Sequence, residues 1–495
     1  MTAVSSDTTT PDSGLVFPRE GDGRRSTSAT GRAVVADALR AVDPTGAVAA
    51  SQESSWRSGY LPHFRRLVEA GLTSPEAAVD VARAGLASLH RRMRVATGGD
   101  ADVALADWPD DLGGAAPRTV EVVGEAEPVT ELVLPYRGDR LRGDALRRRV
   151  DDWVRDGIVE PSVAEAVAQV VAHPEWLRLE GRTVAVLGAG AEMGPLPSLM
   201  RWGARVAAVD LAERPELWQR VLTTARAGAG TLVVPTRGDG PLERTAGLDL
   251  LVEVPRATAW LAEQPGELVV GNYVYADGAL NTRVSAAVDE LTRRLGEQRP
   301  GTALAFLATP TDVFVVPRDA VEHSTRVYDS RSGRTKALSR PLRTLSGGRL
   351  LRRQYVVGAD PGINDSMVPQ QGPNYALAKR LQRWRATTAR HDGALVSLNV
   401  APPTRTRSVV KNRALAAAYA GAHRFGVEVF EPSTSNVLMA ALLVHDLHTD
   451  GGPRHAHPWQ DEAYAAAHGG LWRTGWAPRS ALGLAALLGY GATRG

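Results

Sequence analysis

The sequence predicts an α/β protein: a Rossmann-like doubly wound parallel sheet, preceded by a mainly α-helical N-terminal domain. Three observations predict it. After Leu179, short runs rich in Val, Leu and Ala alternate with helical periodicity, as in a parallel sheet with helices on both faces. The first run, residues 183–187, ends in the glycine turn Gly188-Ala189-Gly190-Ala191-Glu192-Met193-Gly194. The second, residues 205–209, ends in Asp210.

Residues 1–32 are rich in Ser, Thr and Gly and are expected to form a disordered tail. Residues 33–178 form the N-terminal unit, with helical periodicity at 34–42, 60–70 and 74–93. Ser74 followed by Pro75 and Glu76 marks a helix start. Apolar runs at 120–123 and 130–134 predict strands, and 146–156 and 163–171 predict a helical pair around Gly157. That pair reads as a plain hairpin and not a DNA-binding motif, because no basic recognition face stands out. The sheet domain spans 179–450, with strands expected at 183–187, 205–209, 231–235, 248–254, 304–309 and 394–400. Helices are expected at 194–202, 282–295 and 375–389. An insertion occupies about 318–373, and 451–495 is a C-terminal segment.

Composition excludes several function classes. The 495 residues contain no cysteine, which excludes disulfides, thiolate metal sites and Cys nucleophiles. The net charge is only +3 and no basic patch is interleaved with aromatics, so no nucleic-acid partner is expected. No apolar run reaches the ~18 residues of a membrane span, and the N-terminus lacks a signal-peptide core. No membrane partner and a cytoplasmic location are the expectations. His445, His448, His455, His457 and His468 cluster near the C-terminus, but without an ordered H-E-x-x-H pattern no metal is expected.

The glycine turn is where chemistry enters. Glycine lets a backbone approach a diphosphate, and a following helix supplies N–H donors. Asp210, one strand on, suits the hydroxyls of an adenosine ribose, which favours NAD over NADP. A tight turn that binds nothing has the same glycines. Further along, Tyr375 and Lys379 lie four residues apart on a predicted helix and share a face. Lys379 is one of three lysines in an Arg-rich chain. A cation beside the phenol is expected to lower its pKa and make a proton donor or acceptor usable near neutral pH. The alternative is an exposed helix pair.

Together these residues resemble the short-chain dehydrogenase/reductase family over roughly residues 179–445. Gly188 and Gly194 match the first and last glycines of that family's nucleotide turn, and Tyr375 and Lys379 match its Tyr-x-x-x-Lys. Asn281 matches the family's Asn, and Thr309, twenty-eight residues later, falls where its catalytic hydroxyl is expected. The run from Val400 to Thr406 resembles the segment that contacts the nicotinamide, with Thr406 as the usual threonine. The resemblance implies an NAD(P)-dependent oxidoreductase that interconverts a carbonyl and an alcohol on a small-molecule substrate, as a homo-oligomer. It implies that Tyr375 transfers the proton, that Thr309 polarises the carbonyl and that Asn281 holds a water. It gives Lys379 both Tyr375 and the nicotinamide ribose, and it places Gly188, Ala189, Gly190, Met193, Gly194, Asp210, Lys379 and Thr406 around the cofactor.

The chain also departs from the family. Glu192 stands at a usual glycine, Pro403 replaces another, and no Asn-Ala-Gly follows the run 248–254. About 65 residues separate Thr309 from Tyr375, so Ser366, nine residues before Tyr375, is a rival hydroxyl. The insertion carries Arg326, Arg331, Arg334, Lys336, Arg340, Arg343, Arg349, Arg352 and Arg353, which suits an anionic substrate such as a carboxylate or acyl thioester. A solvated basic hairpin or an oligomer contact would look the same. Two other functions share part of the pattern. An S-adenosylmethionine-dependent methyltransferase also needs the glycine turn and Asp210, but expects an antiparallel last strand. A non-catalytic nucleotide-binding regulator would accommodate Glu192.

Overall fold

The computed structural model describes residues 13–96 and 101–490. At the N-terminus β1 (Gly14–Val16) pairs with β2 (Arg94–Ala96), which pairs with β3 (Val103–Ala104). Between β1 and β2 run α1 (Thr27–Leu39), α2 (Pro44–Gln52), α3 (Trp56–Gly71) and α4 (Pro75–Arg92). The chain continues through β4 (Arg118–Val123), the hairpin β5 (Leu134–Tyr136) and β6 (Asp139–Leu141), then α5 (Gly143–Arg155) and α6 (Pro161–Ala172).

Strand and helix then alternate. In order come β7 (Arg182–Leu187), α7 (Leu196–Trp202), β8 (Arg205–Val209), α8 (Pro215–Arg226) and β9 (Thr231–Thr236). Next are α9 (Leu242–Thr245), α10 (Val254–Ala262), β10 (Glu267–Asn272), α11 (Ala279–Gln298) and β11 (Ala303–Ala308). A hairpin, β12 (Val313–Val316) and β13 (Gly362–Asp365), encloses α12 (Arg318–Asp329) and α13 (Gly333–Leu345). Then follow α14 (Gly372–His391), β14 (Val396–Val400), α15 (Arg407–Lys411), α16 (Arg413–Gly421), α17 (Pro432–His448), α18 (Pro458–Ala463) and α19 (Pro478–Gly489).

The central sheet has seven strands in the order β14-β11-β10-β7-β8-β9-β4. All neighbours are parallel except β4, which lies antiparallel on β9. Helices cover both faces, so β7 is a continuous apolar run, buried from Thr183 to Leu187, with no polar alternation. The strand order reverses between β7 and β10. At such a switch point the loops leaving the strands' C-terminal ends part and open a crevice. Gly188, Asp210, Tyr273, Thr309 and Ala401 follow β7, β8, β10, β11 and β14 there.

The N-terminal region is not a separate helical domain. The helices α1–α4 share one buried core with α11, α14 and one face of the sheet. A Cβ on Gly85 of α4 would lie 2.3 Å from the Trp384 ring of α14, so the missing side chain sets how closely the two helices approach. Asp289 of α11 binds both His90 of α4 (2.6 Å) and Arg385 of α14 (2.7 Å). The opposite face buries α5 and α6 with α17, and β4 is an edge strand of the central sheet. Periodicity shows that a helix has an apolar face and leaves open what covers it.

Other expectations also shift. Residues 13–32, placed in a disordered tail, hold β1 and the start of α1, capped by Ser26 accepting from the Ala29 N–H at 3.1 Å. Residues 1–12 lie outside the described residues. The helix α2, absent from the sequence reading, starts at Pro44 behind an Asp43 cap. The run 248–254 is not a strand. Asp249 accepts the Leu251 N–H (2.9 Å) and Glu253 accepts the Asp249 N–H (3.0 Å), and this turn feeds α10 with Pro255 in its first turn. The strand beside β7 is β10, which the sequence reading missed. A short apolar run does not by itself distinguish strand from helix entry. No helix among the described residues is long and apolar enough to cross a membrane.

Candidate functional site

The turn after β7 closes on itself. Gly188 has φ +83°, and a Cβ there would lie 3.1 Å from the Tyr273 backbone. The Gly188 and Ala189 N–H groups donate to Val209 O (2.8 and 3.2 Å), that of Ala191 to Gly188 O (2.9 Å) and that of Gly194 to Ala191 O (3.0 Å). Gly190 donates to Asp210 Oδ2 at 2.8 Å, and Leu211 donates to the other Asp210 oxygen at 2.8 Å. Burial raises the Asp210 carboxyl above its ordinary value, against the pull of those two N–H groups. Asp210 therefore braces the glycine turn as well as standing at the strand tip, and each of its oxygens keeps a lone pair for a ribose hydroxyl.

The helix expected from Gly194 begins only at Leu196. It has seven residues, with Pro195 at its cap and Pro197 in its first turn. Two prolines remove two N–H donors where a diphosphate would look for them. Among the described residues, the N–H groups of Glu192 and Met193 have no acceptor and are the donors that this turn leaves open. The Glu192 carboxylate turns aside, accepting the Arg407 N–H at 2.9 Å. Arg407 opens α15 directly after Thr406, whose hydroxyl meets Ser408 at 3.0 Å.

Across the switch point, α14 presents Tyr375 to the end of β11. The Tyr375 phenol neighbours Thr309, and Thr309 Oγ1 lies 2.9 Å from Thr311 Oγ1, which accepts from Gln371 Nε2 at 2.8 Å. Burial raises the Tyr375 phenol above its ordinary value, opposed by Thr309. That direction is opposite to the one expected from a neighbouring cation. Lys379 does not face the phenol oxygen: its ammonium donates to Gln382 Oε1 (3.1 Å) and Leu307 O (3.3 Å), and burial lowers it to about 8. Gln382 in turn reaches Asn272 Oδ1 at 3.4 Å.

Asn281, in the first turn of α11, accepts the Ala276 N–H at 3.2 Å. Its amide nitrogen is buried and has no partner among the described residues. An unpaired buried donor calls for a water or a ligand group. Ser366 does not join the Tyr375 pair; its hydroxyl donates to Asn364 Oδ1 at 2.7 Å.

Sequence reasoning missed Asp312. It is buried just beyond Thr309 and receives Arg380 and Arg383 of α14, each at 2.8 Å; Arg383 also holds Glu462 at 2.6 Å. Burial pushes the Asp312 carboxyl up, but the two guanidiniums outweigh it and hold the carboxyl below its usual value. This clamp fixes α14, which carries Tyr375, against the turn that follows Thr309. The signal lay in Tyr-x-x-x-Lys-Arg-x-x-Arg, two arginines on the inner side of the same helix.

Next to Thr311 and Ser366 opens a cleft lined mainly by apolar side chains of α16, residues 366–368 and the C-terminal segment. Three of the basic side chains of the insertion, expected over the substrate, have partners within the insertion or the C-terminal segment, Arg343 with the Tyr328 hydroxyl at 3.1 Å among them. Arg331 lies over the Tyr328 and Trp476 rings, and Arg353 pairs with Asp329. The clustered histidines are dispersed: His468 binds Glu160, His455 binds Asp461 and His445 lies against Asp446. Among the described residues no three His, Asp or Glu side chains gather in a metal-binding group.

No protein-family model matches the chain, and no curated protein matches it. Faint likenesses to solved structures exist. An A1-type ketoreductase is 14% identical over 54% of this chain and 47% of its own, with TM-score 0.30, so the chain spans about half that protein's length. A chain from Agrobacterium tumefaciens assigned as a 2-deoxy-d-gluconate 3-dehydrogenase, with bound NADP, is 13% identical over 60% and 98%, with TM-score 0.32. An oxidoreductase of the short chain dehydrogenase/reductase family from Burkholderia thailandensis is 15% identical over 59% and 92%, with TM-score 0.31.

Proposed function

We propose that this chain is a nicotinamide-dinucleotide-dependent oxidoreductase that interconverts a carbonyl and an alcohol. The observation that carries this reading is that Tyr375 and, one helical turn along, Lys379 stand on α14 against the end of β11, where Thr309 follows, with the Lys379 ammonium on Leu307 O at 3.3 Å. The polar groups around the crevice suit the cofactor: the open Glu192 and Met193 N–H groups for phosphate oxygens, the remaining lone pairs of Asp210 for the ribose of NAD, and the unpaired buried Asn281 amide for a water or a polar ligand group. A bound nicotinamide supplies or takes the hydride.

Burial keeps the Tyr375 phenol protonated at neutral pH, so it starts as a donor. In carbonyl reduction it gives its proton to the carbonyl oxygen as negative charge develops there. Thr309 holds that oxygen and the phenol in one hydrogen-bonded group. In alcohol oxidation the proton moves the other way and the phenol must first be deprotonated. Oxidation is therefore favoured by high pH, and reduction is not.

The methyltransferase alternative expects an antiparallel last strand, whereas β14 pairs parallel with β11 and the antiparallel strand β4 sits at the opposite edge. A non-catalytic nucleotide-binding regulator is the second reading, favoured by the Glu192 carboxylate and by the prolines at 195 and 197.

The test is ligand-dependent melting with NADH, NADPH and S-adenosylmethionine, followed by a carbonyl screen with Tyr375→Phe as control. The variant Asp210→Asn serves better than Asp210→Ala, since it keeps an acceptor for the Gly190 N–H. The reading expects an NADH shift that Asp210→Asn weakens, and turnover that Tyr375→Phe lowers by about 10²–10⁴ without changing NADH binding. A shift with S-adenosylmethionine alone would sink the oxidoreductase; NADH binding without turnover of any carbonyl would favour the regulator.

A further inference from the structure

Resting on that reading, we infer that the substrate is a carbonyl compound with an extended, uncharged apolar body, which lies in the cleft beside Thr311 while its carbonyl reaches Thr309 and Tyr375. The cleft is built from three parts of the chain whose purpose the sequence left open: the end of the insertion, the helix α16 and the C-terminal segment through α19.

Its polar lining is Thr311, Ser366, Tyr419, Thr474 and Arg479. Thr311 lines it and is hydrogen-bonded to Thr309, the neighbour of Tyr375. Pro403, in the loop after β14, lines it too, and so does Tyr419, whose phenol is close enough to that of Tyr375 to be raised by it, on top of the larger effect of burial. The rest of the lining is apolar, with Met367, Leu415, Phe425 and Trp476 among it. The one charged residue among the described lining is Arg479, and its guanidinium already holds Asp365 Oδ2 at 2.7 Å. Asp365 thus already balances the one charge in the lining, so a carboxylate or phosphate gains little net attraction here, whereas a hydrocarbon need only displace water.

The outer wall is packed as a fixed surface. α16 and α19 meet through small residues: a Cβ on Gly421 would lie 2.0 Å from Ala485 O, and one on Gly489 would lie 2.0 Å from Ala417 O. Leu415 and Tyr419 of α16 and Leu482 of α19 line the cleft beside this close contact.

The test is a homologous series of methyl ketones from 2-butanone to 2-decanone, assayed with the nicotinamide cofactor that shifts melting, beside 2-oxo acids of matching length. Burial of each methylene predicts kcat/KM rising about three- to fourfold per carbon until the cleft is full, with each ketone above its 2-oxo acid. Ala418→Phe on the α16 wall and Leu482→Gln on the α19 wall are each expected to flatten that rise. A flat series in the wild type, or a preference for the 2-oxo acids, overturns the inference.

Cofactor-free binding separates this from the underlying reading. 2-Decanol should raise the melting temperature more than 2-butanol at equal concentration, and Ala418→Phe should remove the difference. No NADH or NADPH shift and no turnover would sink the oxidoreductase while leaving the cleft to this binding measurement. Equal shifts from the two alcohols would sink the cleft whatever the cofactor result.

Discussion

The Glu192 carboxylate accepts the backbone N–H of Arg407 at 2.9 Å, joining the turn after β7 to the segment after β14 across the mouth of the crevice. A carboxylate in a phosphate-binding turn repels a diphosphate, and this contact turns it aside without removing its charge. The first prediction follows from that charge. Glu192→Gln keeps an acceptor for Arg407 and should tighten NADH binding by roughly fivefold at low ionic strength, the scale of one charge-charge contact near water. The gain should shrink as salt rises toward 0.5 M. Fluorescence titration of NADH at two salt concentrations measures both. Weaker binding in the variant would mean that the carboxylate holds the crevice in shape and does not oppose the ligand.

Asp312 is the second case. It is buried between Arg380 and Arg383, so its removal leaves two buried guanidiniums short of a counter-charge. Asp312→Ala should cost about 3–5 kcal/mol of stability. Asp312→Glu keeps the charge but moves the carboxylate by one methylene. It should retain much of the stability while lowering kcat more than it changes KM, because α14 and the 309–312 turn lose register. Chemical denaturation and steady-state kinetics on the two variants separate the structural from the positioning effect.

His90 ties the N-terminal helices to the sheet domain through Asp289 at 2.6 Å and Glu290 at 3.3 Å. Burial lowers its pKa, but the two carboxylates outweigh this and raise it to about 9. The folded imidazole thus binds its proton more tightly than the unfolded one. The stability this contributes is fully present below the ordinary value near 6.5 and is lost as pH rises through about 9. It is on the order of 3 kcal/mol. Melting temperature should fall across pH 6.5–9 in the wild type, and His90→Gln should remove that part of the slope. Parallel curves for the two proteins would show that the pair does not titrate in this window.

The route by which Thr309 meets Tyr375 shows how much could be known in advance. Some 65 residues separate them, and the sequence left Ser366 as a rival. The hairpin accounts for the spacing: Val313 pairs with Asp365 and Val316 with Gly362, so the insertion leaves and returns at one point and its length does not enter the distance. Ser366 comes back with the hairpin but bonds Asn364.

What the sequence alone determined is local. Continuous apolar runs marked the parallel strands β7, β8, β9, β11 and β14, glycines marked the turn after β7, and a four-residue spacing put Tyr375 and Lys379 on one helix face. Each depends on backbone geometry and on which side chains need burial within a few residues. The tertiary structure decided the rest. It assigned the run 248–254 to a turn because Asp249 and Glu253 cap it, and it fused the N-terminal helices to α11 and α14. It aimed Lys379 at Leu307 and Gln382, and it assembled an apolar cleft from three distant segments. Which partner covers an apolar face, and which acceptor a buried charge finds, depends on residues hundreds of positions away, and no local pattern encodes them.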